Sequence, residues 1–292
     1  MKKKKTIAQI ILNSVFIVLC CCYIIPFLYL ISVSFSDEAT LVREGYSLIP
    51  KVFSLEAYKL VFRDPTQILN SYAVTAFSSV VGTALSILVM GTMAYPLARS
   101  NYRFMKPLAF YCLFTMLFSG GMAASYLVNV RFLGLKNNLL VYILPGLVSA
   151  YYLLLIRTNY KSVPSELIEA AELDGAGELR ICFTIMMPLC KPVLASVAFL
   201  TFVDRWNSWM PSQLYATKPE LYSLQYLLQK LLNEAEFLRK MAEQGTLIGS
   251  RTPPTETLRF AMAVVAAGPV LIVFPFFQKH FSKGLMLGGV KG

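Results

Sequence analysis

A single histidine, His280, stands in the whole chain, so a His-based catalytic triad and an HExxH metal helix are both excluded. No Gly-x-x-x-x-Gly-Lys-Ser/Thr loop occurs either, and the chain therefore lacks the usual means of binding and hydrolysing ATP. Charge is scarce: 15% of the 292 residues are Asp, Glu, Lys or Arg, against 56% apolar, which excludes an ordinary soluble domain. The six cysteines (Cys20, Cys21, Cys22, Cys112, Cys182 and Cys190) lie in or beside apolar stretches without ligand spacing. They read as small buried hydrophobes, neither disulfides nor a metal site. The net charge of +11 comes from short clusters at the ends of apolar runs, not from a basic face with interleaved aromatics, so nucleic acid is not an expected partner. Internal repeats and low-complexity linkers are also missing.

What the chain does have is a series of long uncharged runs, the mark of a multispanning membrane protein whose surface partner is lipid. Six spans are expected, at approximately 7–31, 67–97, 107–129, 139–156, 192–210 and 260–277, within one all-α transmembrane domain covering 1–292. The first run follows Lys2–Lys5 and is about twice too long for a cleaved signal peptide, so it is read as a retained helix with its lysines inside. Arg99, Arg103 and Lys106 form a turn without acids, and the tail carries Lys279, His280, Lys283 and Lys291. Loop 37–64 and loop 211–256 mix bases with acids. Lysine and arginine bias therefore puts both termini in the cytoplasm and those two loops outside. Small residues in the second run, such as Gly82 and Ala84, suit close helix contact in lipid.

Between the fourth and fifth runs lies the most acidic stretch of an otherwise basic chain, Ser165 to Arg180. Ser165 is a good helix N-cap, with Glu166 and Glu169 in the first turn where the helix dipole favours them. Leu167, Ala170 and Ala171 share one shallow apolar face. Gly175-Ala176-Gly177 then permits a tight reversal into a second amphipathic run stopping near Pro188. Such a knob, within 160–190, is built to be presented to something else.

The pattern EAA, three residues, G, nine residues, I-x-L-P is met at Glu169, Ala170, Ala171, Gly175, Ile185 and Pro188, with Met187 in place of the Leu. On these residues the chain resembles the permease subunits of bacterial ABC importers. Trp206-Asn207-Ser208-Trp209, Pro219 to Leu224 and the ending Lys283 to Gly292 resemble the carbohydrate branch, the maltose-permease G-subunit type for complex oligosaccharides. The resemblance implies a plasma-membrane transporter subunit, not an enzyme. Its partners would be a second, non-identical permease, a dimer of ATP-binding subunits carrying the ATP and Mg, and an extracytoplasmic solute-binding protein. Glu169, Ala170, Ala171, Asp174, Gly175 and Pro188 would form the coupling region, in which Glu169 offers a charge-assisted contact and Gly175 the turn.

One span carries an ionisable pair, Asp204-Arg205, beside Trp206, Asn207 and Trp209. Adjacent positions point about 100° apart on a helix, so the two side chains need not bond each other. Two readings stay open: a helix end reaching outer headgroups with both tryptophans in an aromatic belt, or a lining of the substrate path. A polyol or phosphorylated polyol is the alternative cargo, and an ion-coupled secondary carrier is the alternative class.

Overall fold

A computed structural model describes residues 2–99, 103–244 and 254–284. The expectations placed on Lys2–Lys5, His280, Lys283, Lys291 and the family-like ending concern side chains outside those described. The described chain is helical: α1 (Lys2–Ser34), α2 (Glu38–Glu44), α3 (Glu56–Val61), α4 (Pro65–Ala98), α5 (Met105–Leu117), α6 (Gly121–Leu127), α7 (Ala150–Tyr160), α8 (Ser165–Leu173), α9 (Glu178–Ile181), α10 (Met187–Leu189), α11 (Lys191–Trp206), α12 (Met210–Tyr215), α13 (Leu224–Glu243) and α14 (Glu256–Gly284). Single π turns follow α6 and α9, at Val128–Phe132 and Cys182–Met186.

Among the described residues, three helices are long and apolar enough to cross a membrane: Gln9–Ser34, Pro65–Ala98 and Glu256–Gln278. Two bent pairs raise the number to five when each counts as one span. The chain is thus a multi-pass membrane protein. The expected span at 107–129 is broken, with Met105–Leu117 and Gly121–Phe132 meeting at 113°. Gly121 takes φ +79° there, a backbone state that other residues resist. The expected span at 139–156 is a 3-10 turn, Leu139–Tyr142, then non-helical chain past Pro145-Gly146 until α7. The expected span at 192–210 ends at Trp206, and an 81° bend at Cys190 separates it from the segment before.

The chain divides into two compact units. In the first, comprising 1–68 and 228–269, the carboxylate of Glu38 sits on the start of α14. Its oxygens accept hydrogen bonds from the backbone amides of Thr255, Glu256 and Thr257 at 3.1, 3.0 and 2.9 Å, and from the Thr257 hydroxyl at 2.7 Å. An anion is favoured there because the first amides of a helix lack carbonyl partners and carry the positive end of its dipole.

In the second unit, 69–227 and 270–292, α4 is the central element. Asp64, just before it, accepts a hydrogen bond from Gln67 N and Pro65 opens the first turn, a strong start signal. Ser71, Thr75, Ser78, Ser79, Thr83 and Ser86 bury one small-residue face of it. Its lower part, at Met90, Ala94, Tyr95 and Leu97, joins a core built with Leu153, Ile156 and Tyr160 of α7, Ile168 and Ala171 of α8, and Ile181, Met186 and Val197. Cys182 and Cys190 are buried in that core, as expected of small hydrophobes, whereas Cys20, Cys21 and Cys22 are exposed on α1. The reason is that α1 presents its apolar surface outward all round, with none of its most apolar window buried.

Candidate functional site

The acidic stretch folds as a helical hairpin fixed to the core of the second unit. Helix α8 starts one residue earlier than expected: Ser165 is its first residue, and Pro164 occupies the cap position without a side-chain bond. At its other end Gly175 N donates to Glu172 O at 3.0 Å and Ala176 N to Ala171 O at 2.9 Å. This pair of bonds is the Schellman arrangement, which requires a left-handed residue at the first position past the cap. Gly175 supplies it at φ +79°. Gly177 has φ −72° and is simply extended, so only one of the two glycines makes the reversal.

The apolar face differs from the expected one. Ile168 and Ala171 point into the core, while Leu167 and Ala170 point outward. Leu173 and Leu179 are 90% and 75% exposed, so the hairpin tip carries an uncovered apolar surface. Glu169 and Asp174 are exposed beside it and have no bonded partner among the described residues. Pro188 is exposed within α10, just before the Cys190 bend. Met187, in place of Leu, reaches Gly91, where an added Cβ would lie 3.0 Å from its Cε; a flexible thioether suits that gap.

Two of the five acids look inward. Arg99, at the end of α4, bonds Glu172 and lies 3.6 Å from Glu178, while the Tyr95 hydroxyl donates to Glu178. Burial works against the charge on Arg99. The Glu172 hydrogen bond and the nearby negative groups outweigh it and raise its pKa. Tyr95, Arg99 and Glu172 border a cleft of about 370 Å³ lined also by Tyr160, Lys161 and Glu169. The sequence gives Arg99 a place only in the basic turn and Tyr95 none, because their partners lie 73 and 83 positions away.

A second cavity of about 250 Å³ holds the Asp204-Arg205 pair. The two side chains do separate. Arg205 Nη1 donates to Tyr142 O at 2.7 Å, and Nη2 to Gly146 O at 2.8 Å and Ser86 Oγ at 2.9 Å. The guanidinium thereby holds the non-helical link before α7, satisfying carbonyls that no helix satisfies. Gly82 makes room for it: an added Cβ would stand 2.7 Å from Nη1. Asp204 is exposed and accepts a 2.8 Å bond from Tyr152, a residue to which the sequence assigned no role. Thr201 Oγ1 and Arg205 Nε are buried beside the cavity without partners among the described residues. Trp206 is 4% exposed and stacks on Phe202, which corrects its placement in a belt or on a path. Trp209 is 42% exposed, and Asn207 is exposed with its amide between Val203 O and Gln225. Among the described residues no group of three potential metal ligands occurs.

Comparison with known proteins brings both sites into one frame. The profile of the family described as "Binding-protein-dependent transport system inner membrane component" matches residues 125–286. Among relatives, Protein LplC of Bacillus subtilis (strain 168) is 39% identical over 92% of this chain and 90% of its own length. The polygalacturonan/rhamnogalacturonan transport system permease protein YtcP of the same organism is 39% identical over 92% of this chain and 93% of its own. A chain of a bacterial ABC transporter involved in the import of the acidic polysaccharide alginate superposes with a TM-score of 0.73 at 29% identity, covering 94% of this chain and 97% of that one.

Proposed function

The chain belongs to the family of binding-protein-dependent transport system inner membrane components, and from that premise we propose how it works as the permease of an ATP-driven oligosaccharide importer. It is a transport permease subunit and not an enzyme; ATP is hydrolysed on separate subunits, which would hold the ATP and Mg. The observation that carries the mechanism is the hairpin of α8 and α9. It has a core-bound inner face and an outer face of uncovered leucines with free carboxylates. Such a face suits seating in a cleft of an ATP-binding subunit, with Ala170 allowing close approach and Glu169 and Asp174 offering charge-assisted contacts. Closure of two such subunits would push the hairpin and rock the attached helices between inward- and outward-open states.

The remaining parts of the assembly are a second, non-identical permease and a solute-binding protein outside. Six crossings with both termini in the cytoplasm agree with the basic turn at Arg99, Arg103 and Lys106, the fourth crossing being the interrupted segment that ends in α7. The hydroxyl-rich cavity, with Asp204, Tyr152 and the unpartnered Thr201 Oγ1, supports a path for a polyhydroxyl cargo.

The test is purification of the tagged chain from its native membrane, beside a Glu169→Arg, Gly175→Val double variant. The expected result is that an ATPase and a second permease accompany the wild type and that the ATPase alone is lost from the variant. A chain that emerges alone, with transport driven by an ion gradient, overturns the importer reading.

A further inference from the structure

We propose that Arg99 is a positioning residue that staples both arms of the hairpin to α4, making α4 the rod that carries hairpin movement to the Arg205 cavity. The proposal rests on the reading that the hairpin docks an ATP-binding subunit. Glu172 lies on α8 and Glu178 on α9, one on each side of the Gly175 turn. Both face the same guanidinium, and the Arg99 side chain is only 21% exposed. Tyr95, one turn earlier on α4, donates to Glu178 and lies under Arg99 with 5.9 Å between guanidinium and ring centroid. Arg157 Nε holds the Leu97 carbonyl at 2.8 Å, satisfying an acceptor that the end of a helix leaves open.

These contacts matter because the hairpin otherwise meets α4 through apolar packing, which resists separation but allows sliding. A planar guanidinium shared by two carboxylates fixes direction as well as distance. The guanidinium is partly buried, while the Glu172 and Glu178 side chains are 42% and 64% exposed, so salt screens the pairs but the fork still sets their geometry. Arg99 directly follows α4, which is continuously helical from Ser86 to Ala98 with Pro96 in its last turn, so the two residues stand thirteen positions or about 20 Å apart. There Ser86 Oγ accepts from Arg205 Nη2 at 2.9 Å, and Arg205 in turn holds the link before α7. One continuous helix thus meets the hairpin at its end, through Tyr95 and the adjoining Arg99, and the cavity cation at Ser86.

The experiment uses the complete transporter in proteoliposomes and reads ATP hydrolysed per cargo molecule transported. Arg99→Ala is expected to keep the ATPase bound and to raise that ratio about tenfold, the loss of a coupling free energy of ordinary size. Arg99→Lys, which keeps the charge but not the fork, should fall between. Glu172→Gln and Glu178→Gln should each raise the ratio less than Arg99→Ala does, and adding either to Arg99→Ala should raise it no further, whereas independent losses of stability would add. An assembled Arg99→Ala transporter with an unchanged ratio overturns the staple. Absence of any ATPase from the wild-type preparation overturns instead the docking reading beneath it.

Discussion

Arg205 is the most heavily bonded cation of the second unit, and its bonds go to backbone carbonyls and one serine. This makes it a support for the interrupted segment, while Asp204, Tyr152 and the Thr201 hydroxyl are the cavity groups that would face a cargo on the function proposed above. The two roles predict opposite phenotypes. Gly82→Ala would drive a methyl to 2.7 Å from a guanidinium that its acceptors hold in place. Loss of those bonds leaves buried carbonyls unpaired, costing about 1–3 kcal/mol and lowering the thermal midpoint in detergent. Asp204→Asn should leave the midpoint unchanged and shift the cargo concentration for half-maximal transport. Equal midpoints for wild type and Gly82→Ala would refute the supporting role. At Gly175 an added Cβ meets nothing within 4 Å, so the whole penalty of substitution comes from φ +79°. Gly175→Val should therefore cost about 1–2 kcal/mol or more through backbone strain, whereas Gly175→Asn, better tolerated in that region, should retain most transport. Parallel transport assays on the two variants decide between strain and crowding, since crowding would penalise both alike.

At the scale of elements, the sequence marks α4 and α14 well because nothing interrupts their apolar runs. Gly120-Gly121, Pro145-Gly146 and Pro192 stand at the breaks, yet 107–129 reads as one span and no residue gives the angle of a bend. Hydropathy measures how much chain is apolar, not where it points. The 113° bend goes with a backbone torsion, φ +79° at Gly121, and the interrupted link before α7 with a remote partner, Arg205. The same limit explains the hairpin. Its residue types and its left-handed glycine are readable locally, but the choice of Ile168 over Leu167 as the inward residue depends on the core it meets. Glu38 is a further case, lying 217 positions from the amide of Thr255 that it caps. Because its two oxygens serve three amides at the head of a long helix, Glu38→Ala should destabilise that end by about 1–2 kcal/mol, an N-cap-sized effect. Hydrogen exchange at Thr255, Glu256 and Thr257 should accelerate roughly tenfold, as that energy implies, while exchange at mid-α4 stays unchanged. Unaltered exchange at all three amides would show that the helix start holds without the carboxylate.

At the scale of the whole molecule, orientation follows from where bases occur without acids. The turn with Arg99, Arg103 and Lys106 has none, whereas the segments around Glu44-Lys51 and around Lys218-Glu220 carry both signs. Retaining lysine and arginine on the cytoplasmic side is the strongest known bias on such chains, and acids do little to oppose it. The acidic hairpin is accordingly expected on the same side as the basic turn, as the bonds from Arg99 to Glu172 and Glu178 require. Single cysteines placed in a cysteine-free background test this directly. Val42 and Phe104 are 64% and 56% exposed, Leu173 is 90% exposed, and Glu220 is exposed, so each side chain is open to a reagent that reaches its side of the membrane. An impermeant maleimide on intact cells should label Val42→Cys and Glu220→Cys, and should reach Phe104→Cys and Leu173→Cys only after permeabilisation. Labelling of Leu173→Cys in intact cells would put the hairpin outside, out of reach of any cytoplasmic ATPase, and the coupling mechanism would fall with it.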